Sequence, residues 1–187
     1  MLNDFVVMPD GSLFITDTER GAIYRLRSPS DTLELFSRPD PEKFSAANGI
    51  TVAPDGEALY VAFIEGIARV DVARRTVAIL PAPDSVSTAA IDGLYWHRGS
   101  LVAVQGAPTM QRVVRYTLSP DGRRIETATV LERGLTVVNQ PTTGTIVGTR
   151  FYYIANSQYG RLGESGTLER PTGTPVRTAI RVIDLRW

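Results

Sequence analysis

The chain has 187 residues, 43% hydrophobic and 21% charged, with 20 basic residues balancing 20 acidic ones and no cysteine. A length of this order fits one domain with a real core, and a balanced charge without like-charged blocks argues against nucleic acid or an anionic membrane as partner. Disulfides, thiolate catalysis and thiolate metal sites are excluded; no apolar run approaches the ~20 residues of a membrane-spanning helix, no signal peptide is read, and the compartment stays open.

Taken in chain order, the sequence repeats one pattern four times. The first copy opens at Asn3-Asp4 and runs Phe5-Val6-Val7, Pro9-Asp10-Gly11, Leu13-Phe14-Ile15. The second opens at Asn48-Gly49 and runs Ile50-Thr51-Val52, Pro54-Asp55-Gly56, Leu59-Tyr60-Val61. A third opens at Asp92-Gly93, and a fourth runs from about Thr142 through Phe151-Tyr152-Tyr153-Ile154. A period of ~40–50 residues with several short strands per unit points to a β-propeller. In each Pro-Asp-Gly triplet proline presets φ, aspartate bonds its local backbone and glycine accepts positive φ, so a hairpin turn is expected.

The third strand of each unit alternates apolar and polar residues: Ala22 to Leu26, Ile67 to Val72, Arg112 to Leu118 and Ile180 to Leu185. Such a strand turns one face inward and one outward. The fourth strands, Leu33 to Phe36, Thr76 to Leu80 and Thr127 to Leu131, are weaker and suit a solvent-facing rim. The expected architecture is an all-β propeller of four-stranded antiparallel blades, at about 1–38, 46–82, 89–133 and 139–187. The last blade lacks an outer strand, so an incomplete six-bladed ring is expected, with a four-bladed ring as the alternative. Two exposed blade faces would then favour self-association. The long segment from Asn156 to about Thr178, rich in Gly, Ser, Thr and Pro, reads as a disordered or functional loop.

The innermost strands of a propeller line its axis, so residues at their leading ends converge. Here these are Asn3 (with Asp4), Asn48 and Asp92, from three consecutive units. Carboxamide and carboxylate oxygens suit a hard divalent cation, Ca²⁺ first, with Mg²⁺, Mn²⁺ or Zn²⁺ as alternatives. The same residues also serve as turn formers, and repeat position alone leaves both readings open. His97, the only histidine, is expected in a solvent-exposed turn, and no Gly-x-Ser-x-Gly elbow is present. Asp17, Asn156 and Gln158 read as turn formers. Gln140 and Thr142-Thr143 are candidates for the channel, and Tyr95, Trp96, Tyr152 and Tyr153 are expected in the inter-blade core.

The segments Leu2-Asn3-Asp4-Phe5, Ala47-Asn48-Gly49-Ile50 through Asp55-Gly56, and Ile91-Asp92-Gly93-Leu94 resemble the senescence-marker-protein (regucalcin)/gluconolactonase family of six-bladed, metal-dependent lactone hydrolases. The resemblance implies metal ligation by Asn48 and Asp92, substrate contact by Asn3, and Asp92 as general base. It implies a small-molecule substrate, a lactone or related ester. A glutamate ligand of that family has no counterpart in this sequence, and activity is expected of the complete propeller. The alternative function is a non-catalytic propeller that binds a ligand or a protein.

Overall fold

The computed structural model describes residues 1–161 and 177–187, and those residues form fifteen β-strands in four antiparallel sheets. Blade 1 comprises β1 (Leu2–Val7), β2 (Leu13–Asp17), β3 (Ala22–Leu26) and β4 (Glu34–Ser37). Blade 2 comprises β5 (Ile50–Val52), β6 (Ala58–Phe63), β7 (Gly66–Asp71) and β8 (Val77–Ile79). Blade 3 is built from β9 (Ile91–His97), β10 (Ser100–Ala107), β11 (Met110–Leu118) and β12 (Ile125–Arg133). Blade 4 shows β13 (Gly144–Val147), β14 (Arg150–Ile154) and β15 (Ile180–Asp184) among the described residues. Each sheet is a meander paired in chain order, and β1, β5, β9 and β13 pack side by side in succession. This is a β-propeller with four blades and, among the described residues, no α-helix.

The turn chemistry behaves as its residues dictate. Asp10 Oδ1 accepts the Ser12 N–H at 2.9 Å, and Asp55 Oδ1 accepts the Glu57 N–H at 2.9 Å. Gly11 and Gly56 take φ of 83° and 74°, a region that costs other residues energy. The third unit departs from this. Its first hairpin turns on Arg98-Gly99 alone, because His97 pairs directly with Ser100. His97 is therefore the last residue of β9 rather than an exposed turn residue. It is 7% exposed, its Nε2 lies 3.1 Å from the Leu185 carbonyl oxygen, and its ring meets Trp187 edge-on.

Period-2 alternation distributes the core. On β6, Leu59 and Val61 pack toward blade 1 with Phe14, Ile23 and Phe36, while Tyr60 and Ala62 pack toward blade 3 with Leu94 and Leu101. On β10, Leu101 and Ala103 face blade 2, and Val102 and Val104 face blade 4 with Phe151 and Tyr153. A strand covered on both faces must be apolar at every position, and all six residues of β6 are buried. Ring pairs pin the interfaces: Trp96 stacks on Tyr60 at 5.6 Å, and Tyr95 meets Phe151 at 5.1 Å. Tyr152 falls on the opposite register from Phe151 and Tyr153, half-buried and outside these clusters, contrary to its expected core position. The outer strand β12 is also stronger than its sequence suggests, nine residues long against the long β11.

The Asn156–Thr178 connection lies mostly outside the described residues, and its described start carries a single 3-10 turn at Tyr159–Arg161.

Candidate functional site at the leading ends of the inner strands

Each inner strand begins with a β-bulge, two residues opposite one on the second strand. In blade 1, Leu2 pairs with Asp17 and Phe5 with Ile15, so Asn3 and Asp4 share Thr16. In blade 2, Asn48 N–H donates to the Ala62 carbonyl and Ala62 N–H donates to the Gly49 carbonyl, both at 2.9 Å. In blade 3, Gly93 pairs with Val104 and Ile91 with Gln105, leaving Asp92 as the extra residue. In blade 4, Thr142 and Thr143 share Ile154 in the same way. Bulges re-aim side chains at the rim of a sheet, which is why polar residues collect there.

The ladders refine the repeat alignment. The residue just before the first regular pair is Asp4, Gly49, Asp92 and Thr143 in the four blades. Asp92 is thus equivalent to Asp4, and Asn48 to Asn3, one residue out of step with the register read from Asn48-Gly49 and Asp92-Gly93. The offset arises because the third hairpin is shorter, so counting back from the turn misplaces the bulge.

Asn3 is exposed, and its Nδ2 donates to Thr18 Oγ1 at 2.7 Å; that hydroxyl donates in turn to the Ala47 carbonyl at 2.9 Å. Asp4 sits deeper. Its Oδ1 accepts the Phe5 N–H at 2.8 Å and its Oδ2 accepts the Ile50 N–H of the next blade at 3.2 Å. Burial pushes the Asp4 carboxyl above the usual range; these two N–H groups pull it back, and the Asp92 charge pushes it up again. Asp4 and Asp92 are therefore within electrostatic reach of each other.

Asn48 is half-buried, with its Oδ1 shielded from solvent and without a hydrogen-bond partner. Its neighbour Gly49 lets blades 2 and 3 close: a Cβ there would stand 2.6 Å from the Asp92 carbonyl oxygen and 2.7 Å from the Leu94 nitrogen. This contact seats the segment carrying Asn48 and Gly49 against β9, the strand that carries Asp92. Tyr95, from β9, reaches across to blade 4. Its hydroxyl accepts the Gly144 N–H at 2.6 Å and shares a hydrogen bond with Thr143 Oγ1 at 2.9 Å. Burial, with smaller contributions from Asp4 and Asp92, pushes the phenol up to about 12, so it is a neutral hydroxyl within electrostatic reach of two carboxyl groups.

Asp4 and Tyr95 thus join the predicted residues. Asp4 was legible as a carboxylate at a strand start, whereas Tyr95 carried no signal beyond its place three residues after Asp92. Asp17 forms a turn, its Oδ1 accepting the N–H groups of Glu19 and Arg20. Asn156 is buried with an unpartnered Oδ1. Thr143 contributes through Tyr95, and the Gln140 carbonyl accepts from Ser157.

The donor set can be tested against a cation. Asn48 Oδ1 lacks a partner, the Asp92 carboxylate is half-exposed, and Asp4 adds a second negative charge nearby. Oxygen-only donors of this kind fit a hard divalent ion. Among the described residues there is no group of three or more His, Cys, Asp or Glu side chains, so the carboxamide would be an essential part of the set.

No protein-family model matches the chain, and no curated protein matches it in sequence. Solved structures do share its fold. It is similar to the Xanthomonas campestris gluconolactonase XC5397 (18% identity, TM-score 0.60), covering 83% of this chain and 54% of that one. It is similar to a luciferin-regenerating enzyme (14% identity, TM-score 0.62), covering 98% and 61%. It is also similar to Kuenenia stuttgartiensis hydrazine synthase (14% identity, TM-score 0.63), covering 97% and 45%. The chain spans about half the length of these structures. At such identities the likeness establishes the propeller fold.

Proposed function

We propose that these blades belong to a divalent-metal-dependent hydrolase of lactones or related esters, with activity residing in the complete propeller. The carrying observation is the shielded, unpartnered Asn48 Oδ1 in the segment leading into β5, which packs against β9, the strand bearing Asp92. A buried acceptor left without a donor is costly, and a cation would repay it. Structural likeness to a gluconolactonase supports the substrate class.

In this reading Asn48 and Asp92 hold the cation, with Ca²⁺ first and Mg²⁺, Mn²⁺ or Zn²⁺ as alternatives. The chemistry such an ion supplies when bound is polarisation of the substrate carbonyl. Asp92 takes the proton from an attacking water as general base. Asp4 is held by two backbone N–H groups and acts through its charge on Asp92. Asn3 turns its carboxamide from Thr18 to the substrate. Tyr95 stays protonated and offers no proton acceptor at neutral pH.

The test is hydrolysis of an aldonolactone with added Ca²⁺ or Mn²⁺, with Asp92→Ala beside the wild type. Loss of a general base and ligand should lower the rate by at least ~10²-fold. Unchanged turnover in Asp92→Ala would exclude its role.

A second reading, a non-catalytic binding propeller, is favoured by Asp4 and Asn3, whose side chains already have internal partners. Calorimetric titration separates the two: absence of Ca²⁺ and Mn²⁺ uptake selects the binding module.

A further inference from the structure

A cavity of about 310 Å³ opens at the outer edge of the cleft between blades 2 and 3. One wall is β7, β8 and the turn that joins them; the other is Arg123, from the hairpin between β11 and β12. Strand register sets the first wall. Tyr60 pairs with Arg69 and Arg69 with Ala78, which puts all three on the face that packs toward blade 3. Asp71 and Leu80 stand two residues along from Arg69 and Ala78 and share that face. Asp71 ends β7 beside Ala58, at the opposite end of the blade from Asn48, so the cavity is separate from the cation site.

The second wall is fixed from both sides. The Tyr60 hydroxyl donates to the Gly122 carbonyl at 3.0 Å, and the Ile125 N–H donates to the Pro81 carbonyl at 2.8 Å. A Cβ at Gly122 would collide with that hydroxyl, so only glycine lets the hairpin seat on blade 2. Within the hairpin, Ser119 Oγ and Asp121 Oδ1 accept the Arg123 N–H at 3.2 and 3.1 Å. The backbone of Arg123 thus serves the turn, and its guanidinium is left to the cavity.

Three guanidinium groups line this space against one carboxylate. Arg74 pairs with Asp71 at 3.0 Å. Arg69 and Arg123 act on Asp71 and Asp121 through charge, and among the described residues neither forms an ion pair. Arg69 Nε is shielded from solvent and without a hydrogen-bond partner, a costly state that an acceptor oxygen in the cavity would relieve. We propose that this cavity binds a small phosphate monoester, its phosphoryl oxygens taken by Arg69 and Arg123 and its organic body laid on Ala78 and Leu80.

Charge and size select this ligand. The lining leaves two positive charges in excess, and a phosphate monoester carries close to two negative charges near neutral pH, whereas a carboxylate carries one. The planar guanidinium fork matches phosphate oxygens in pairs. The volume stands at the small end of small-molecule sites and leaves room beside the phosphoryl group for an organic body.

The experiment is calorimetric titration of the purified chain with phenyl phosphate, inorganic phosphate and benzoate. Phenyl phosphate should bind saturably at one site. Inorganic phosphate should bind more weakly, since it leaves Ala78 and Leu80 uncovered, and benzoate more weakly still. Arg123→Gln and Arg69→Gln should each weaken phenyl phosphate by about tenfold or more, the worth of a charge-assisted hydrogen bond. Arg69→Lys, which keeps the charge and loses the fork, tests the same contact should Arg69→Gln fail to fold. Arg20→Gln, an exposed guanidinium on blade 1, should change nothing. Absence of saturable phenyl phosphate uptake, uptake unaltered in a folded Arg123→Gln protein, or benzoate or inorganic phosphate binding as tightly as phenyl phosphate would overturn the proposal.

Discussion

Gly49→Ala is the substitution through which fold and site can be tested together. An added Cβ would meet the Asp92 carbonyl oxygen at 2.6 Å, the Leu94 nitrogen at 2.7 Å and the Gly93 carbonyl carbon at 3.0 Å. All three are backbone atoms of β9, so no rotamer change relieves the contact and blades 2 and 3 must part. Overpacking of this sort costs about 1–3 kcal/mol. For a chain of this size each kcal/mol lowers Tm by about 2–4 °C, so a drop of roughly 2–12 °C is expected. Gly11→Ala is the control: it stands at φ 83° with nothing within 4 Å of the new methyl, and it should lose only the ~1–2 kcal/mol of a left-handed residue. Urea denaturation of both variants, with cation affinity measured beside it, separates the effects. Gly49→Ala should lose both stability and cation binding, whereas Gly11→Ala should keep its affinity. A Gly49→Ala protein within about 0.5 kcal/mol of wild type would refute the close approach of the two strands.

Three further outcomes are expected. Asp92→Asn should bring the Asp4 pKa down, read by carboxyl NMR titration, though not to its ordinary value, because burial is the larger cause of its rise. Glu132 accepts from Arg181 through both oxygens at 2.7 Å, and although burial raises its pKa, Arg181 and Tyr153 hold the carboxyl below the usual range. With its folded pKa depressed, its contribution to stability is present above the unfolded value near 4.5 and is lost as pH falls through the folded one; Glu132→Gln should flatten acid unfolding in that window. Tyr116→Phe should cost about 1 kcal/mol in chemical denaturation, since its hydroxyl donates to the Ser87 carbonyl at 2.7 Å.

The blades were legible because their signals are local. Pro9-Asp10-Gly11 and Pro54-Asp55-Gly56 encode turns within a few residues, and Leu59 to Val61 encodes a strand buried on both sides. The site was legible only in part. Asn48 and Asp92 announce themselves as polar residues opening strands, but their register depends on how Gln105 and Ala62 pair across a bulge, which no local pattern specifies. His97 was misplaced for the same reason: Arg98-Gly99 closes a two-residue hairpin where the other units use a longer one. Tyr95 reads as core because most of it is core. Only its hydroxyl reaches Thr143 and Gly144, a contact made across some fifty residues of chain.

The most direct measurement of the proposed cation site is terbium luminescence excited through tyrosine, because Tyr95 lies within electrostatic reach of both Asp4 and Asp92. Wild-type protein should sensitise Tb³⁺ emission, Ca²⁺ should compete it away, and Asp92→Asn or Asn48→Ala should abolish it while Tyr95→Phe weakens it. Absence of sensitised emission and of Ca²⁺ uptake in the wild type, or emission unchanged by Asp92→Asn, would contradict a cation held by Asn48 and Asp92.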